Sequence, residues 1–327
     1  MTVTGFNFSV VYSSIIIIFN MKLDLTSEQK YLIGGFLASA LVFTSLFWLV
    51  LSQWPALEVE QYAQDELEDW GAFGDYLRTE EVIFIQSEDG DDEPELVSVQ
   101  PTLFEYIEVI DSCGPYFEGD CLNVRSGPGT DFPVITRLRQ GQVLKVGGSA
   151  EREGEVWYKV VFDEWIRYPE RLSGDDWYVT AEYVKVLLDE GVKDISSETI
   201  NEADKRIVVS RTEQMLYAYE GDELFMEESI STGVELTPTP RGEFRIFRKT
   251  PTRYMQGPLP GISSQYWDLP GVPWNLYFTH QGAIIHGTYW HDDFGQPSSN
   301  GCVNIRTDRA KELYRWADLG TRVIVRD

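Results

Sequence analysis

The sequence predicts a mainly β protein with one transmembrane helix near its N-terminus and one or two further helices in its C-terminal part. Short stretches of alternating apolar and polar residues recur after residue 102, which is the pattern of half-buried strands. The clearest helical spacing of apolar side chains lies at 307–320. An uncharged apolar run at 31–51 is long enough to cross a bilayer.

Length and charge limit the function classes. The chain of 327 residues is long enough for two modest domains, since domains usually contain roughly 100 to 200 residues. Its net charge of -26 argues against nucleic acid as a partner, because phosphate binding requires clustered Lys and Arg. The charge mainly favours solubility.

The apolar run at 31–51 is interpreted as a membrane anchor. Lys22 and Lys30 precede it, whereas acidic residues such as Glu58 follow it. By the positive-inside rule, residues 1–30 are expected in the cytoplasm and the rest of the chain on the outer side of the membrane. A cleaved signal peptide and a buried core helix are the alternatives, but no small-residue cleavage site follows the run.

Two polar segments separate the predicted domains. Acidic residues dominate 58–95, and such a segment cannot bury enough apolar surface to offset its ordering entropy. Only VIFIQ at 82–86 looks like a strand there, and its partner is left open. The predicted order is a cytoplasmic segment, the anchor, an acidic spacer, a small β domain, a linker and a larger β-rich domain. Their boundaries are 1–30, 31–51, 52–101, 102–188, 189–203 and 204–327.

The segment 102–188 contains a glycine- and proline-rich loop, a tight QG turn between short strands and two aromatic strands. The corresponding sequence stretches are LNVRSGPG, RLRQGQVL, VWYKVV and DWYVTAEYVKVL. Together they resemble the bacterial SH3-like domain, a small β-barrel. Residues 163–174 are longer than the hairpin usual at that place. The resemblance leaves two roles open, which are binding of cell-wall material and service as a spacer.

The cysteines are Cys113, Cys121 and Cys302. Cys113 and Cys121 are close in sequence and lie in the part predicted to be outside the membrane, where oxidation is permitted. They form either a disulfide, worth roughly 2 to 3 kcal/mol by loop entropy, or two buried thiols. Cys302 is left over, and an unpaired external thiol indicates a reactive role.

A nucleophilic cysteine needs a base, a group that orients the base, and donors for the oxyanion. The histidines are His280, His286 and His291. His280 fits an exposed turn, and His291 lies in a polar loop, as a structural residue or at a cleft rim. His286 ends an apolar strand, and Cys302 follows on a strand expected to adjoin it. His286 is therefore the preferred base.

The stretch IIHGTYWHDDFGQPSSNGCVNI at 284–305 resembles the signature of the L,D-transpeptidase catalytic domain (YkuD-type). In that family an HG at a strand end is followed, after a loop, by S-H-G-C. The resemblance spans 204–327 and includes STGVELTPTPRGEF and GVPWNLYF. Asn300 stands where the family has the histidine of S-H-G-C. Because the resemblance puts the base at the HG histidine, His286, we expect activity to survive this change.

The resemblance implies acyl transfer through a thioester, with peptidoglycan stem peptides as donor and acceptor, carbapenems as inhibitors, and no metal or organic cofactor. Cys302 would attack the donor and His286 would act as base. The carbonyl of Gly287 would orient the imidazole, and the amides of Gly301 and Cys302 would hold the oxyanion. The expected substrate-binding residues are Asn304, Gln281, Gly282, Met255, Tyr266, Trp274 and Asn300.

The expected protein is a single-pass, membrane-anchored enzyme that forms 3-3 cross-links on the wall side of the membrane and so contributes to cell-wall organisation and cell shape. Two alternatives stay open. If water replaces the acceptor amine, the enzyme is an L,D-carboxypeptidase. If the catalytic fold is inactive, the protein binds or organises the cell wall.

Overall fold

The computed structural model of the chain describes residues 81–85, 95–172, 174–188, 190–194, 204–261 and 263–327. The predicted cytoplasmic segment, the transmembrane helix and most of the spacer and linker lie outside the described residues. Within the part that is described, no helix combines the length and the apolar character needed to span a membrane. All described residues belong to one compact unit, Tyr76–Asp327.

The first half of this unit is a nine-stranded sheet with the order β1-β2-β6-β7-β8-β4-β5, in which β3 also pairs with β6, and β9 pairs with β3. Its strands are β1 (Glu81–Ile85), β2 (Glu95–Gln100), β3 (Tyr106–Val109), β4 (Leu122–Arg125), β5 (Val134–Leu138), β6 (Val143–Arg152), β7 (Glu155–Val161), β8 (Trp177–Thr180) and β9 (Val184–Leu187). Single turns of 3-10 helix lie at Pro169–Arg171 and Ala181–Tyr183. Alternation along these strands produces an apolar core that includes Val124, Leu138 and Val179.

The hairpin of β1 and β2 corrects the predicted extent of the acidic spacer. Val99 of β2 pairs with Ala150 of β6, so the hairpin extends the sheet of the small β domain. Val97 and Val99 are buried and pack with Trp157. β2 is thus the partner of the strand predicted at 82–86, and the apolar burial of its alternate residues stabilises sequence that was assigned to a solvated spacer.

The second half contains two five-stranded sheets with the orders β13-β12-β11-β21-β14 and β10-β15-β18-β19-β20, and a separate pair, β16-β17. The strands of the first sheet are β11 (Lys205–Ser210), β12 (Met215–Glu220), β13 (Glu223–Ser229), β14 (Gly242–Arg245) and β21 (Arg322–Arg326). Those of the second sheet and of the pair are β10 (Lys193–Asp194), β15 (Arg248–Thr250), β16 (Met255–Leu259), β17 (Ser263–Leu269), β18 (Asn275–Tyr277), β19 (Ile284–Thr288) and β20 (Val303–Arg306).

Helix α1, Thr307–Trp316, is the α-helix of the described residues and lies where helical spacing was predicted. Its buried stripe consists of Ala310, Leu313 and Tyr314, as the sequence pattern requires. The helix is shorter than 307–320, because the backbone at Ala317 is extended and its N–H closes the last turn on Leu313 O. The mainly β fold class with one clear helix is thereby confirmed for the described residues.

The two halves share one apolar core. Tyr106, Val143 and Leu187 of the small β domain belong to the same buried cluster as Trp274 and Tyr314 of the second half. Backbone and side-chain hydrogen bonds cross the boundary as well, with Val143 N donating to Gly271 O at 3.1 Å. The small β domain therefore packs as part of the larger unit and is not a freely attached module.

A disulfide joins Cys113 to Cys121, with an Sγ–Sγ distance of 2.07 Å, which decides between the alternatives left open by the sequence. The loop that it closes reaches the second half of the unit. Tyr116 Oη, in this loop, lies 2.9 Å from carboxylate oxygens of both Asp292 and Asp293. Cys302 is free.

Glu164, in the long segment 163–174, is largely buried, and its Oε1 accepts a hydrogen bond from Tyr254 N at 2.6 Å. Burial raises the pKa of this carboxyl from its ordinary 4.5 to about 7, although the Tyr254 hydrogen bond and the charge of Arg253 oppose the rise. The folded chain consequently keeps a proton that the unfolded chain releases at lower pH.

We predict that Glu164→Gln changes how stability depends on pH. As pH rises from 4.5 to 7, the wild type should lose on the order of 2 to 3 kcal/mol of unfolding free energy relative to the variant, because the folded state binds more protons over this window. Chemical denaturation at a series of pH values measures the difference. A difference that stays constant between these two pH values would contradict a buried, proton-retaining Glu164.

Candidate active site

Two adjacent parallel strands carry the candidate nucleophile and base. β19 and β20 pair in parallel, with Ile285 opposite Val303 and His286 opposite Asn304. Ile285 and Val303 point into the apolar core. Since side chains alternate across a sheet, His286 and Asn304 lie on the opposite face, and Cys302, directly before β20, continues that face. The structure therefore brings the thiol and the imidazole to neighbouring positions.

Gly287 allows the strand that carries His286 to lie close to its neighbours. Gly287 N donates to Pro273 O at 2.8 Å. A Cβ at Gly287 would lie 2.8 Å from Pro273 Cγ and 3.2 Å from Ala310 Cβ on α1. A side chain at this position would push the strand away from the helix. Close packing therefore explains why a glycine follows His286 in the HG motif.

His286 is oriented as a proton acceptor. Its side chain is buried, and its Nδ1 lies 3.0 Å from Gly287 O. A carbonyl oxygen only accepts, so Nδ1 carries the hydrogen and Nε2 keeps its lone pair. Burial above all, together with the charges of Arg253 and His291, lowers the pKa of His286 to about 4, although the Gly287 hydrogen bond opposes this shift. The imidazole is neutral at pH 7 and can accept a proton.

Cys302 is partly buried. Its Sγ lies 3.8 Å from Gly282 O, to which the thiol donates. Burial raises the pKa of the thiol above its ordinary 9.0, while a hydrogen bond from the Ile284 amide and the charge of Arg253 lower it. In the free protein the pair is therefore a neutral thiol beside a neutral imidazole, and the thiolate forms only when the proton is transferred.

The carbonyl of Cys302 is held by two hydroxyl groups, which the sequence prediction did not include. Ser299 Oγ donates to Cys302 O at 2.6 Å, and Thr239 Oγ1 donates to the same oxygen at 3.3 Å. Ser299 Oγ also accepts from Gly301 N at 3.1 Å. The Gly301 N–H thus already donates to Ser299, which corrects the prediction that it binds the oxyanion. The Cys302 N–H remains as the candidate oxyanion donor.

Gly233 is a second residue that the prediction did not single out. Its backbone forms a bridge with Ser299. A Cβ at Gly233 would lie 2.0 Å from Thr237 O and 3.0 Å from Gly301 Cα, so no side chain fits between the two loops. The available sequence signal is the run of small residues STG at 231–233.

Asn304 shares the face of His286, but it is buried and its amide faces another group. Its Nδ2 lies 3.1 Å from His291 Nε2, which also lies 3.5 Å from Ser298 Oγ. His291 is thus a hydrogen-bond partner of Asn304, and its place at a cleft rim stays a prediction. The predicted contact of Asn304 with substrate is not supported by this orientation.

The predicted substrate-binding residues at the turn before β19 lie close to the thiol. Gln281 and Gly282 are exposed, and Gly282 meets Cys302 through its carbonyl. Asn300, next to Gly301 in the cysteine loop, is partly buried. His280 is exposed and stacks on Phe247, with ring centroids 4.3 Å apart, which fits the predicted turn position.

The three residues expected to line the donor cleft separate in the structure. Met255 and Tyr266 both lie on the hairpin of β16 and β17, but Met255 pairs with Leu269, and alternation places Tyr266 on the opposite face. The prediction for Trp274 is wrong. Trp274, directly before β18, is fully buried in the core, where its ring centroid lies 5.3 Å from that of Tyr314 on α1.

We predict that alkylation of Cys302 by iodoacetamide keeps accelerating with pH up to and beyond pH 9. The reason is that the free thiol has a raised pKa and a neutral histidine beside it, so the thiolate fraction grows with pH. The rate is measured by intact-mass analysis, with Cys302→Ala as the blank. A rate that is already at its plateau near pH 6 would contradict the neutral pair, because it would reveal a preformed thiolate–imidazolium pair.

Comparison with known proteins agrees with both resemblances stated from the sequence. Residues 204–325 match the family described as YkuD, L,D-transpeptidase catalytic domain, and residues 120–185 match the bacterial SH3 domain. The chain is 33% identical over 123 residues to a protein of Bacillus licheniformis named as the L,D-transpeptidase YkuD, covering 37% of this chain and 64% of that protein. It is 31% identical over 105 residues to one of Bacillus subtilis named as the L,D-transpeptidase YqjB, covering 30% and 58%.

The chain thus spans less than two thirds of the length of either relative. Among solved structures, it is similar to the catalytic domain of an E. faecium L,D-transpeptidase acylated by ertapenem, at 26% identity and a TM-score of 0.34, covering 38% of this chain and 99% of that one. From the matched segments, this chain contains an L,D-transpeptidase catalytic domain of the YkuD family at 204–325, preceded by a bacterial SH3 domain at 120–185.

Proposed function

We propose that this protein is a membrane-anchored L,D-transpeptidase that uses Cys302 to form 3-3 cross-links between peptidoglycan stem peptides. The observation that supports it most directly is the shared face of β19 and β20, where a thiol lies next to an imidazole whose Nδ1 is tied to Gly287 O. The apolar run at 31–51 and the charge difference across it support an anchor with the catalytic domain on the wall side.

In the first half-reaction, Cys302 Sγ attacks the carbonyl carbon of the peptide bond before the terminal D-residue of the donor stem. His286 Nε2 takes the thiol proton as the carbon–sulfur bond forms. The negative charge on the carbonyl oxygen is received by main-chain amides, among which the Cys302 N–H is the candidate. Collapse breaks the carbon–nitrogen bond, and the imidazolium returns its proton to the departing amine.

The second half-reaction transfers the acyl group from the thioester. The side-chain amine of an acceptor stem attacks the thioester carbonyl, His286 removes one proton from the nitrogen, and Cys302 leaves as a thiolate that recovers this proton. Water in place of the amine yields a free carboxylate and a shortened stem. Cross-linking and trimming therefore share every catalytic residue and differ only in the nucleophile that reaches the thioester.

Acylation by a carbapenem tests the nucleophile and the base together. Full-length protein should gain one adduct that maps to Cys302, and Cys302→Ala should gain none. His286→Ala should be acylated about 10² to 10⁴ times more slowly, because general base help is lost. His280→Ala is the matched control, since this histidine is exposed and stacks on Phe247. Equal acylation rates for the two histidine variants would contradict the assignment of His286.

Incubation with purified tetrapeptide muropeptides tests the reaction. Dimers with 3-3 links are the expected product. Tripeptides without dimers would show that the protein is an L,D-carboxypeptidase. No turnover, together with binding to sacculi that Cys302→Ala leaves unchanged, would show an inactive wall-binding protein.

A further inference from the structure

We propose that residues 163–172 of the SH3 domain, which we name the docking segment, position the hairpin of β16 and β17 at the active site and so set how well the donor is held. Tyr168 and Arg171 are the positioning residues. The inference rests on the proposed function, because the donor is the molecule whose binding the hairpin affects. The docking segment lies in the stretch that is longer than the hairpin usual in bacterial SH3-like domains.

The hairpin is rooted at the candidate catalytic pair. Arg253, two residues before β16, exchanges two backbone hydrogen bonds with Val272, at 2.9 and 2.8 Å. The charge of Arg253 lowers the pKa of both His286 and Cys302, so its guanidinium lies within electrostatic reach of both. After β17, the chain continues to Pro273, whose carbonyl accepts a hydrogen bond from Gly287 N at 2.8 Å. Both ends of the hairpin thus begin beside the catalytic pair, whereas the contacts of Tyr168 and Arg171 lie further along it, at Gln256, Gly257 and Pro258.

The hairpin needs support from outside itself. β16 and β17 pair only with each other among the described strands. A two-stranded hairpin is marginally stable in water. The backbones of β16 and β17 also approach each other closely at Gly257, where a Cβ would lie 2.7 Å from Gln265 O. The partner that stabilises the hairpin is therefore a determinant of where its side chains lie.

Tyr168 binds β16 through the side-chain amide of Gln256 and the backbone carbonyl of Pro258. Its N–H donates to Gln256 Oε1 at 2.7 Å, and its carbonyl accepts from Gln256 Nε2 at 3.2 Å. Its Oη donates to Pro258 O at 2.8 Å. Gln256 is buried and also donates to Asp268 Oδ1 at 2.7 Å, which extends the network to β17.

Arg171 spans both strands of the hairpin with one guanidinium group. Its Nη1 donates to Gly257 O on β16 and lies 3.7 Å from Asp268 on β17. The same group lies over the rings of Tyr168 and Tyr266, at 3.9 and 4.5 Å from their centroids. A planar cation between two aromatic rings, with a carbonyl and a carboxylate as acceptors, holds the two strands in one relative position.

The contacts continue to the root of the hairpin and select one of its faces. Glu164 accepts from Tyr254 N at 2.6 Å, and the Phe162 and Tyr254 rings meet at 5.2 Å. The side chains of Tyr254 and Gln256 therefore face the SH3 domain. Alternation leaves Met255 on the opposite face of the hairpin, and the proposal assigns this face to the donor peptide. Because the docking segment holds the face of the hairpin that carries Tyr254 and Gln256, it also sets the position of the face that carries Met255.

Arg171→Ala and its matched control, Arg167→Ala, test this role in the full-length protein. Arg167 lies in the same segment, is exposed and contacts Trp165, with its guanidinium 5.2 Å from that ring centroid. Three measurements are made: amide exchange of the hairpin, the rate of Cys302 acylation by a carbapenem, and the rate of Cys302 alkylation by iodoacetamide, which is too small to need the cleft.

For Arg171→Ala we expect hairpin exchange to rise and carbapenem acylation to fall, each by about tenfold, because a charge-assisted contact is lost. Alkylation should stay within about twofold of the wild type, since the thiol and its base are untouched. Arg167→Ala should match the wild type in all three measurements. Tyr168→Phe, which removes only the hydroxyl that binds Pro258 O, should move exchange and acylation in the same direction by a smaller factor.

Unchanged hairpin exchange in Arg171→Ala would overturn the proposal, and so would faster exchange with unchanged acylation. Exchange that rises equally in α1 would also overturn it, because the effect would then be global. If the wild type itself is not acylated, the proposed function fails, whereas the exchange measurement still reports on the docking of the hairpin. The two failures are thus distinguishable.

Discussion

The parallel pairing of β19 with β20 is the constraint on which the rest of the site depends. It aligns His286 with Asn304 and sets Cys302 on the same face, one residue before its strand. A shift of the register by one residue would turn either the thiol or the imidazole into the apolar core. The packing of Gly287 against Pro273 and α1 and the hydroxyl groups on the Cys302 carbonyl both serve to keep this register.

Burial sets the electrostatics of the pair. Because His286 is buried and Cys302 is partly buried, the neutral forms are favoured over a preformed ion pair. In the proposed reaction, the proton is therefore transferred during the attack. The charge of Arg253, at the root of the hairpin, and the Ile284 amide favour the thiolate at that moment. The same Arg253 links the electrostatics of the site to the hairpin that the SH3 domain holds.

The sequence predicted the parts that depend on local pattern. Alternation located the strands, helical spacing located α1, and the HG and cysteine motifs indicated the candidate catalytic pair. It failed where tertiary packing decides. The β1–β2 hairpin is stabilised by packing on Trp157 from a distant strand, and Trp274 is buried because α1 covers it. The Gly301 amide is taken by Ser299, a geometric detail that no spacing reveals. The docking segment was visible only as extra length.

The protonation of the pair follows from the structure: His286 is a neutral imidazole with its proton on Nδ1, held by Gly287 O beside a protonated Cys302. Nitrogen NMR of the full-length protein labelled with ¹⁵N-histidine measures this directly, with His286→Ala to assign the signals. At pH 7 we expect one protonated nitrogen, Nδ1, and an unprotonated Nε2 whose chemical shift changes when Cys302 is acylated. Two protonated nitrogens on His286 at pH 7, or a proton on Nε2 with Nδ1 bare, would contradict it.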